Sequence, residues 1–469
     1  MRGSAWTIAQ YLVNNVLRFG SNLALGYLLF PEAFAVLAYA SIVLQGLQMF
    51  SDIGIGPAIV QHPKGNETNF QNTAWTIQSI RGLILFLLTL LLGWPIAWFY
   101  NEPQLTWIVP ACGLNFITTG LQSTAMHTCS RTLALGRLAL LGVIEAVLKA
   151  VITIAWAIIW PSVWALVGGA FISYLVGLIL SHTILPGIRN RFCWDLEAVR
   201  VLMHFGGWVS LSTMFTFIAS QADRLILGKL VPMAVVGIYS IGLMFARLPY
   251  EIGSRLAQIV LFPALSSAAR NDRETLHVKF LESRDALLAV SQLGISLVVI
   301  GGPLFFEFIY DPRYNQAALF CPLLAITVWF TILQATADRA LLALGDARSL
   351  AISNGVNLVV TLGCCLGGYH WGGMNGFILG VGAGNLAGHL VIAWALGRKN
   401  LSISAQDIRY TSLIALSSLI AVFPPILLST LNTLEFRLIF ALIGILISIS
   451  YGYMRTKELM LYTLKKIQT

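Results

Sequence analysis

Charge is what this 469-residue chain has least of: Asp, Glu, Lys and Arg together make up 10% of it. A soluble domain carries roughly 25%, so a water-facing globular fold is excluded. The six cysteines (Cys112, Cys129, Cys193, Cys321, Cys364 and Cys365) show no CxxC or metal spacing and read as small apolar side chains. The seven histidines are scattered; His127, His182 and His389 fall in apolar helices, where packing or one local partner is the ordinary role. No Walker sequence, HExxH or pair of loop carboxylates occurs. The expectation is therefore no metal, no cofactor and no enzyme chemistry. "GVGAGNLAGH" (Gly380–His389) lacks the preceding strand of a dinucleotide site, and its Gly384 and Gly388 are expected to bring two helices close. The ~10-residue alternation of a membrane β-barrel is missing too.

What the chain does have is long apolar runs, with 57% hydrophobic residues and a mean hydropathy of +0.78. At about 20 residues per crossing it divides into about fourteen spans: 5–29, 34–58, 73–99, 105–129, 138–160, 163–185, 205–230, 235–263, 286–309, 317–343, 349–369, 375–396, 410–430 and 436–453. The first is long and polar-striped, without a small-residue cleavage site, and is expected to be a retained helix. The fold class is an all-α polytopic membrane protein.

Nineteen Lys and Arg fall at one set of span ends, Arg284 among them, against three at the other: Lys229, Arg313 and Arg437. This bias places both termini in the cytoplasm. The net charge of +9 is thus a topology signal and needs no nucleic acid to explain it. The longest inner connections, 186–203 and 264–285, are expected as amphipathic surface helices, as in "DLEAVRVLMHFG". No loop is long enough to fold as a catalytic domain.

The halves of the chain are faintly alike. "LGYLLFPEAFAVLAYA" (Leu25–Ala40) resembles "LGKLVPMAVVGIYSIG" (Leu227–Gly242), and "LALGR" (Leu133–Arg137) resembles "LALGD" (Leu342–Asp346). These pairings place the first span over the seventh and the fourth over the tenth, a parallel pseudo-repeat. The expected organisation is an N-terminal six-helix lobe (1–203), a C-terminal six-helix lobe (204–400), and two peripheral spans with a tail (401–469). The tripeptide Ala-Asp-Arg at 222–224 recurs at 337–339 in a non-equivalent span, so it is not the repeat.

Seven cations lie within spans: Arg18, Arg81, Lys149, Arg224, Arg247, Arg255 and Arg339. Five acids do so as well: Asp52, Glu145, Asp223, Glu251 and Asp338. Each costs about 2.5–3.5 kcal/mol at mid-bilayer on insertion scales, so a hydrated cavity or mutual pairing is expected. Polar stripes at i, i+3, i+7 support a cavity: Asn15, Arg18, Asn22; Gln45, Gln48, Asp52; Thr331, Gln334, Asp338; Asn354, Asn357, Thr361. Thr213, Thr216, Ser220 and Arg224 extend another, and Gln78 adds an amide. Glu145 and Lys149, at i, i+4, are spaced to neutralise each other. Arg247, Glu251 and Arg255 form a ladder with a cation left over, kinked by Pro249. Adjacent Asp223 and Arg224 point about 100° apart, so Arg224 is expected on the stripe with Asp223 pairing to a neighbouring helix. The surplus of arginine suits an anionic ligand, since guanidinium matches phosphate oxygens.

With these residues in view, the chain resembles the Wzx-type oligosaccharide and polysaccharide flippases, in the superfamily that also holds multidrug and lipid II exporters. The likeness is carried by "QMFSDIGIGPAIVQ" (Gln48–Gln61) and by the stretch from "DRLILGKLVPMAVVGIYSIG" to "FPALSS" (Asp223–Ser267). It implies two six-helix lobes around a central cationic cavity. It also implies alternating-access movement of an undecaprenyl-pyrophosphate-linked oligosaccharide to the outer leaflet of the bacterial inner membrane, for exopolysaccharide or O-antigen. Implied partners are that lipid-linked sugar, membrane lipid, and a polysaccharide polymerase or export complex. Arg18, Arg81, Arg224, Arg247, Arg255 and Arg339 match the cationic role, with Asn15, Asn22, Gln48, Gln78, Gln334 and Asn357 as polar lining. Asp52, Glu145, Lys149, Asp223, Glu251 and Asp338 are the coupling or gating candidates. The alternatives are a multidrug or cation exporter, which needs an acid-dominated lumen, and a membrane glycan polymerase, which needs a substantial outer loop.

Overall fold

The computed structural model describes residues 2–52, 54–132, 134–202, 217, 221, 223–256, 273–343, 346–427, 435 and 437–450. Among them there are helices and no strand. The chain divides into two compact units, Met1–Gly237 and Ile238–Thr469.

The first unit holds α1 (Arg2–Leu28), α2 (Pro31–Phe50), α3 (Ile55–Gln61), α4 (Thr68–Tyr100), α5 (Leu105–Gly120), α6 (Ala125–Arg131), α7 (Leu135–Ile159) and α8 (Val163–Thr183). Close approach between apolar helices needs small residues, because lipid tails provide no hydrophobic drive for association. Gly82 of α4 accordingly lies on the backbone of Phe116 and Gly120 of α5, and Gly113 leaves room for Thr89. Between α7 and α8, Gly169 and Gly177 do the same for Thr153 and Glu145.

Two expected spans are broken. The second stops at Phe50 and resumes as α3 after Gly54, whose φ of 62° is left-handed. Asp52 Oδ1 accepts the Gly54 N–H (3.0 Å) and fixes the turn. The fourth span stops at Gly120 and resumes as α6. Each break frees carbonyls that lipid cannot satisfy. One face of α4 supplies the missing donors. Arg81 donates from Nη2 to Gln48 O (2.8 Å) and from Nε to Ser51 Oγ (3.0 Å). Gln78 Nε2 donates to the carbonyls of Thr119, Gly120 and Gln122 at 3.0–3.2 Å. Leu121 O takes Trp75 Nε1 (3.1 Å) and His182 Nε2 (2.9 Å). At the end of α3, Arg131 Nη1 donates to Ile59, Val60 and His62 (2.8, 3.2 and 2.7 Å).

The inner connection differs from expectation in part. Residues 186–195 form no helix, and only 196–202 do, with Ala198 and Leu202 buried. Asn72, Thr73 and Thr76 at the start of α4 bond its backbone and hold it extended. Residues 223–230 are helical and belong to the first unit, where Gly228 sits against Tyr39 and Tyr100. The stripe residues Thr213, Thr216 and Ser220 lie outside the described residues.

The second unit contains α9 (Met233–Leu256, entering from the first), α10 (Arg273–Phe308), α11 (Gln316–Ala343), α12 (Ala347–Gly397), α13 (Ser404–Leu427) and α14 (Arg437–Ser450). α9 bends by 42° between Ala246 and Leu248, beside the expected kink at Pro249. α12 folds back on itself at Gly373, where φ is 55° and ψ is −137°; only glycine accepts that backbone readily. Its limbs correspond to the spans expected at 349–369 and 375–396. They close at Gly368 on Gly376, and at Gly380 on the Cys364 carbonyl. Gly384 likewise closes on Thr361, and Gly388 on Asn357. Gly380–His389 is thus a helix-packing seam. Asp346 caps α12 through Ser349 and pairs with Lys399 (2.8 Å), which hold its carboxyl down at about 2.

Seven described helices are long and apolar enough to cross a membrane, or eight counting bent α9. The chain is an all-helical, multi-pass membrane protein. The expected fourteen also draw on α1, the broken spans and residues outside the described ones.

Arg284, expected on loop charge to lie at the inner surface, is instead fully buried within α10. The reason is a partner more than 100 residues away in sequence. Its Nη2 donates to Asp407 Oδ1 (2.6 Å), Nη1 to Gln406 Oε1 (3.2 Å) and Nε to Thr336 Oγ1 (3.2 Å). The other Asp407 oxygen lies 2.8 Å from His389 Nε2. α13 is thereby bonded to α10 and α12, and Trp329 Nε1 of α11 donates to its Thr411 Oγ1 (2.9 Å), although no charge lies between Tyr410 and Leu431. Arg284→Ala, which strands Asp407, is expected to lose about 3–5 kcal/mol. Arg284→Met/Asp407→Leu should lose less. Thermal unfolding of the purified chain in detergent compares them.

Candidate functional site

A cavity of about 750 Å³ opens inside the first unit. Its polar lining comes from α1 (Asn14, Arg18, Ser21, Asn22), α2 (Ser41, Gln45, Gln48), α5 (Asn115, Thr119), α7 (Lys149, Thr153) and α8 (Tyr174). α1, α2, α5 and α7 each turn polar residues of an otherwise apolar helix to this space, and α8 adds Tyr174. A second chamber, of about 340 Å³, shares Gln48, Phe116 and Thr119 with the first. It lies at the two helix breaks, with Asp52, Gln78, Arg81 and His127 in its wall. Among the described residues the larger chamber is lined by two cations and no carboxylate. The smaller balances Arg81 against Asp52.

Lys149 is the cation that sequence reasoning assigned elsewhere. Among the described residues Glu145 and Lys149 form no ion pair, contrary to their i, i+4 spacing. Four residues turn a helix by about 40° past a full turn. That is enough to send Lys149 into the cavity while Glu145 faces Gly177 of α8. Glu145 Oε1 is buried with no hydrogen-bond partner among the described residues. The contribution of Asn14, Asn115 and Tyr174 was also missed. Asn14, Arg18 and Ser21 repeat at i, i+4, i+7, a signal as regular as the Asn15 stripe chosen instead.

The remaining candidates are scattered. Arg18 lines the large chamber and donates to Asn15 Oδ1 (3.0 Å) on its own helix. Arg81 lines the small chamber while capping α2. Asp223 is buried and Arg224 half-buried, both near Tyr39, and Arg224 Nη1 reaches Gln221 Oε1 (3.4 Å). Neither is part of the chamber walls. Arg247, Glu251 and Asp338 are half-buried in the second unit. The side chains of Arg255 and Arg339 lie outside the described ones. Gln334 and Asn357 join an amide cluster with Ser353, Asn354, Thr361 and Asn385. Asn385 continues it to Thr331 Oγ1 (3.0 Å), tying α11 to both limbs of α12.

Charge and hydrogen bonding in this arrangement suit an anion. The family described as "Polysaccharide biosynthesis protein" matches residues 24–315. The chain belongs to that family. Among its relatives, the amylovoran biosynthesis protein AmsL of Erwinia amylovora is 23% identical over 55% of this chain and 66% of its own length. The succinoglycan biosynthesis transport protein ExoT of Rhizobium meliloti (strain 1021) is 22% identical over 79% of each. The alignment thus spans just under two thirds of AmsL. In structure, the lipid II flippase MurJ in an inward closed conformation superposes with a TM-score of 0.70 at 14% identity. That superposition covers 97% of this chain and 99% of MurJ, and establishes a shared fold.

For this polysaccharide biosynthesis protein the geometry separates two kinds of arginine. Arg81→Ala removes the bonds to Gln48 and Ser51 and is expected to cost about 1.5–3 kcal/mol of stability. Arg18→Ala, open to the cavity, should stay within about 0.5 kcal/mol. Denaturation of both variants in the same detergent provides the comparison.

Proposed function

We propose that this chain is a flippase for an undecaprenyl-pyrophosphate-linked oligosaccharide, carrying the head group to the outer leaflet of a bacterial inner membrane. The observation that carries the reading is the large chamber lined by Arg18 and Lys149, with no carboxylate among its described lining residues. Guanidinium and ammonium donors suit a pyrophosphate, and the surrounding amides and hydroxyls suit sugar hydroxyls. The polyprenyl tail stays in lipid, and no covalent step is needed. The names of AmsL and ExoT, tied to amylovoran and succinoglycan biosynthesis, favour a polysaccharide cargo. Lysine and arginine bias favours cytoplasmic termini, and the pseudo-repeat favours two lobes working by alternating access. A polymerase or export complex downstream is part of the same proposal.

A drug or cation exporter on this fold calls for an acidic chamber, and among the described lining residues of the two chambers the one carboxylate is Asp52, beside Arg81 in the small one. A glycan polymerase calls for catalytic groups on a large outer loop, which connections such as Asn101–Gln104 do not offer.

Translocation of a fluorescent lipid-linked oligosaccharide by the reconstituted chain is the test. Arg18→Ala and Lys149→Ala are each expected to slow it by about tenfold, the worth of one charge-assisted contact of about 1.4 kcal/mol or more. Unchanged flux in the double variant would overturn the anion-binding reading.

A further inference from the structure

The connection that follows α8 carries an arrangement that the cargo cavity does not use. Residues 186–195 run without helix across the start of α4. The N–H groups of Arg191, Cys193 and Asp195 donate to Asn72 Oδ1 (3.1 Å), Thr76 Oγ1 (3.0 Å) and Thr73 Oγ1 (3.2 Å), all on buried side chains of α4. Asn190 is bonded to Ser123 and Thr124 at the start of α6. At the far end Lys64 Nζ pairs with Glu197 Oε1 (2.7 Å), and Ala198 and Leu202 pack with Ile59, Phe70 and Ala74. The segment is a strap fastened along its length.

A fastened strap cannot turn its apolar side chains inward. Trp194 and Leu196 stand outward, with 56% and 72% of their surface exposed, and Phe192 is 73% exposed although one side of its ring rests on Trp75 of α4 (ring centroids 5.0 Å apart). They alternate with the backbone groups that face α4, as extended chain requires. Arg189, Arg191 and Arg200 are exposed beside them and join no ion pair among the described residues. Leaving three large apolar side chains in water costs about 1.5–3 kcal/mol each relative to burial. The six residues from Thr183, the end of α8, to Arg189 reach at most about 20 Å, so the strap stays near the membrane surface.

Aromatic and aliphatic side chains interleaved with arginine match the headgroup zone of an anionic leaflet. We propose that residues 189–200 form a docking element for anionic phospholipid. Phe192, Trp194 and Leu196 enter the boundary between headgroups and acyl chains, and Arg189, Arg191 and Arg200 bind lipid phosphates. The proposal rests on α8 crossing the membrane and is independent of the cargo.

Two measurements on the full chain test it. Native mass spectrometry with equal phosphatidylglycerol and phosphatidylcholine reads lipid retention. Retention should favour phosphatidylglycerol, and the preference should fall by about fivefold for each of R189Q, R191Q and R200Q combined in series. In vesicles carrying phosphatidylglycerol on both faces, the difference between wild type and W194F isolates the Trp194 emission. Brominated acyl chains should quench that component and aqueous iodide should not. Equal retention of both lipids, or a preference unmoved by the arginine substitutions, overturns the proposal. So does a Trp194 component quenched by iodide alone, which would assign the surface to a soluble protein partner. Translocation assays remain a separate readout, so failure here and failure of the flippase reading are distinguishable.

Discussion

A carbonyl left open inside a bilayer has no solvent to turn to, and the first unit is organised around that constraint. Two of its spans are broken, which lets short helices and side chains line a chamber instead of lipid. The breaks are stable because α4 presents Gln78 and Arg81 one turn apart, each to a different broken neighbour. The same helix, within the two turns before Gln78, offers Asn72, Thr73 and Thr76 to the strap. α4 is therefore a polar rail in an apolar wrapper. Removing a donor from it leaves a buried acceptor unmet, and this costs more than the bond itself contributes.

The second unit meets the same constraint differently. Its polar stripes face one another, so Gln334, Asn357 and Asn385 satisfy each other across α11 and the folded α12. Its buried charge closes on itself through Arg284, Asp407 and His389. Identical sequence patterns have two fates: in one unit they wall a chamber, in the other they bind helices together. Spacing alone reports which residues share a helix face and is silent on what that face meets.

That distinction explains what was legible. The helical membrane class, the kink beside Pro249, the two limbs around Gly373 and the packing role of Gly384 all follow from composition and local backbone chemistry. Arg18, Asn22 and Gln48 were found because a polar residue repeating at helical spacing is rare in apolar sequence. The breaks at residues 51–54 and 121–124 were not found, since hydropathy averages across a turn that keeps apolar neighbours. Arg284 was misplaced for a related reason. Charge near a span end reads as a loop until its partner, Asp407, is known, and that partner is distant in sequence. Lys149 was lost to the opposite error, an intrahelical pairing rule applied where a neighbouring helix offered the acid a different site.

The charge of the large chamber then bears on stability as well as binding. Arg18 and Lys149 face the same space with no acid among its described lining residues. Two like charges at membrane depth are tolerable only where water reaches them, since each otherwise costs about 2.5–3.5 kcal/mol. An empty chamber must therefore stay hydrated, and it holds an electrostatic deficit that an entering anion relieves. On the flippase function proposed above, relief of that deficit gives a pyrophosphate a differential affinity for whichever state keeps both cations together. Differential affinity between states is what lets a ligand shift an alternating-access equilibrium. A carboxylate in the same wall would cancel the deficit and with it the preference. Glu145, packed on Gly177, is not one of the residues lining that wall and forms no ion pair with Lys149 among the described residues.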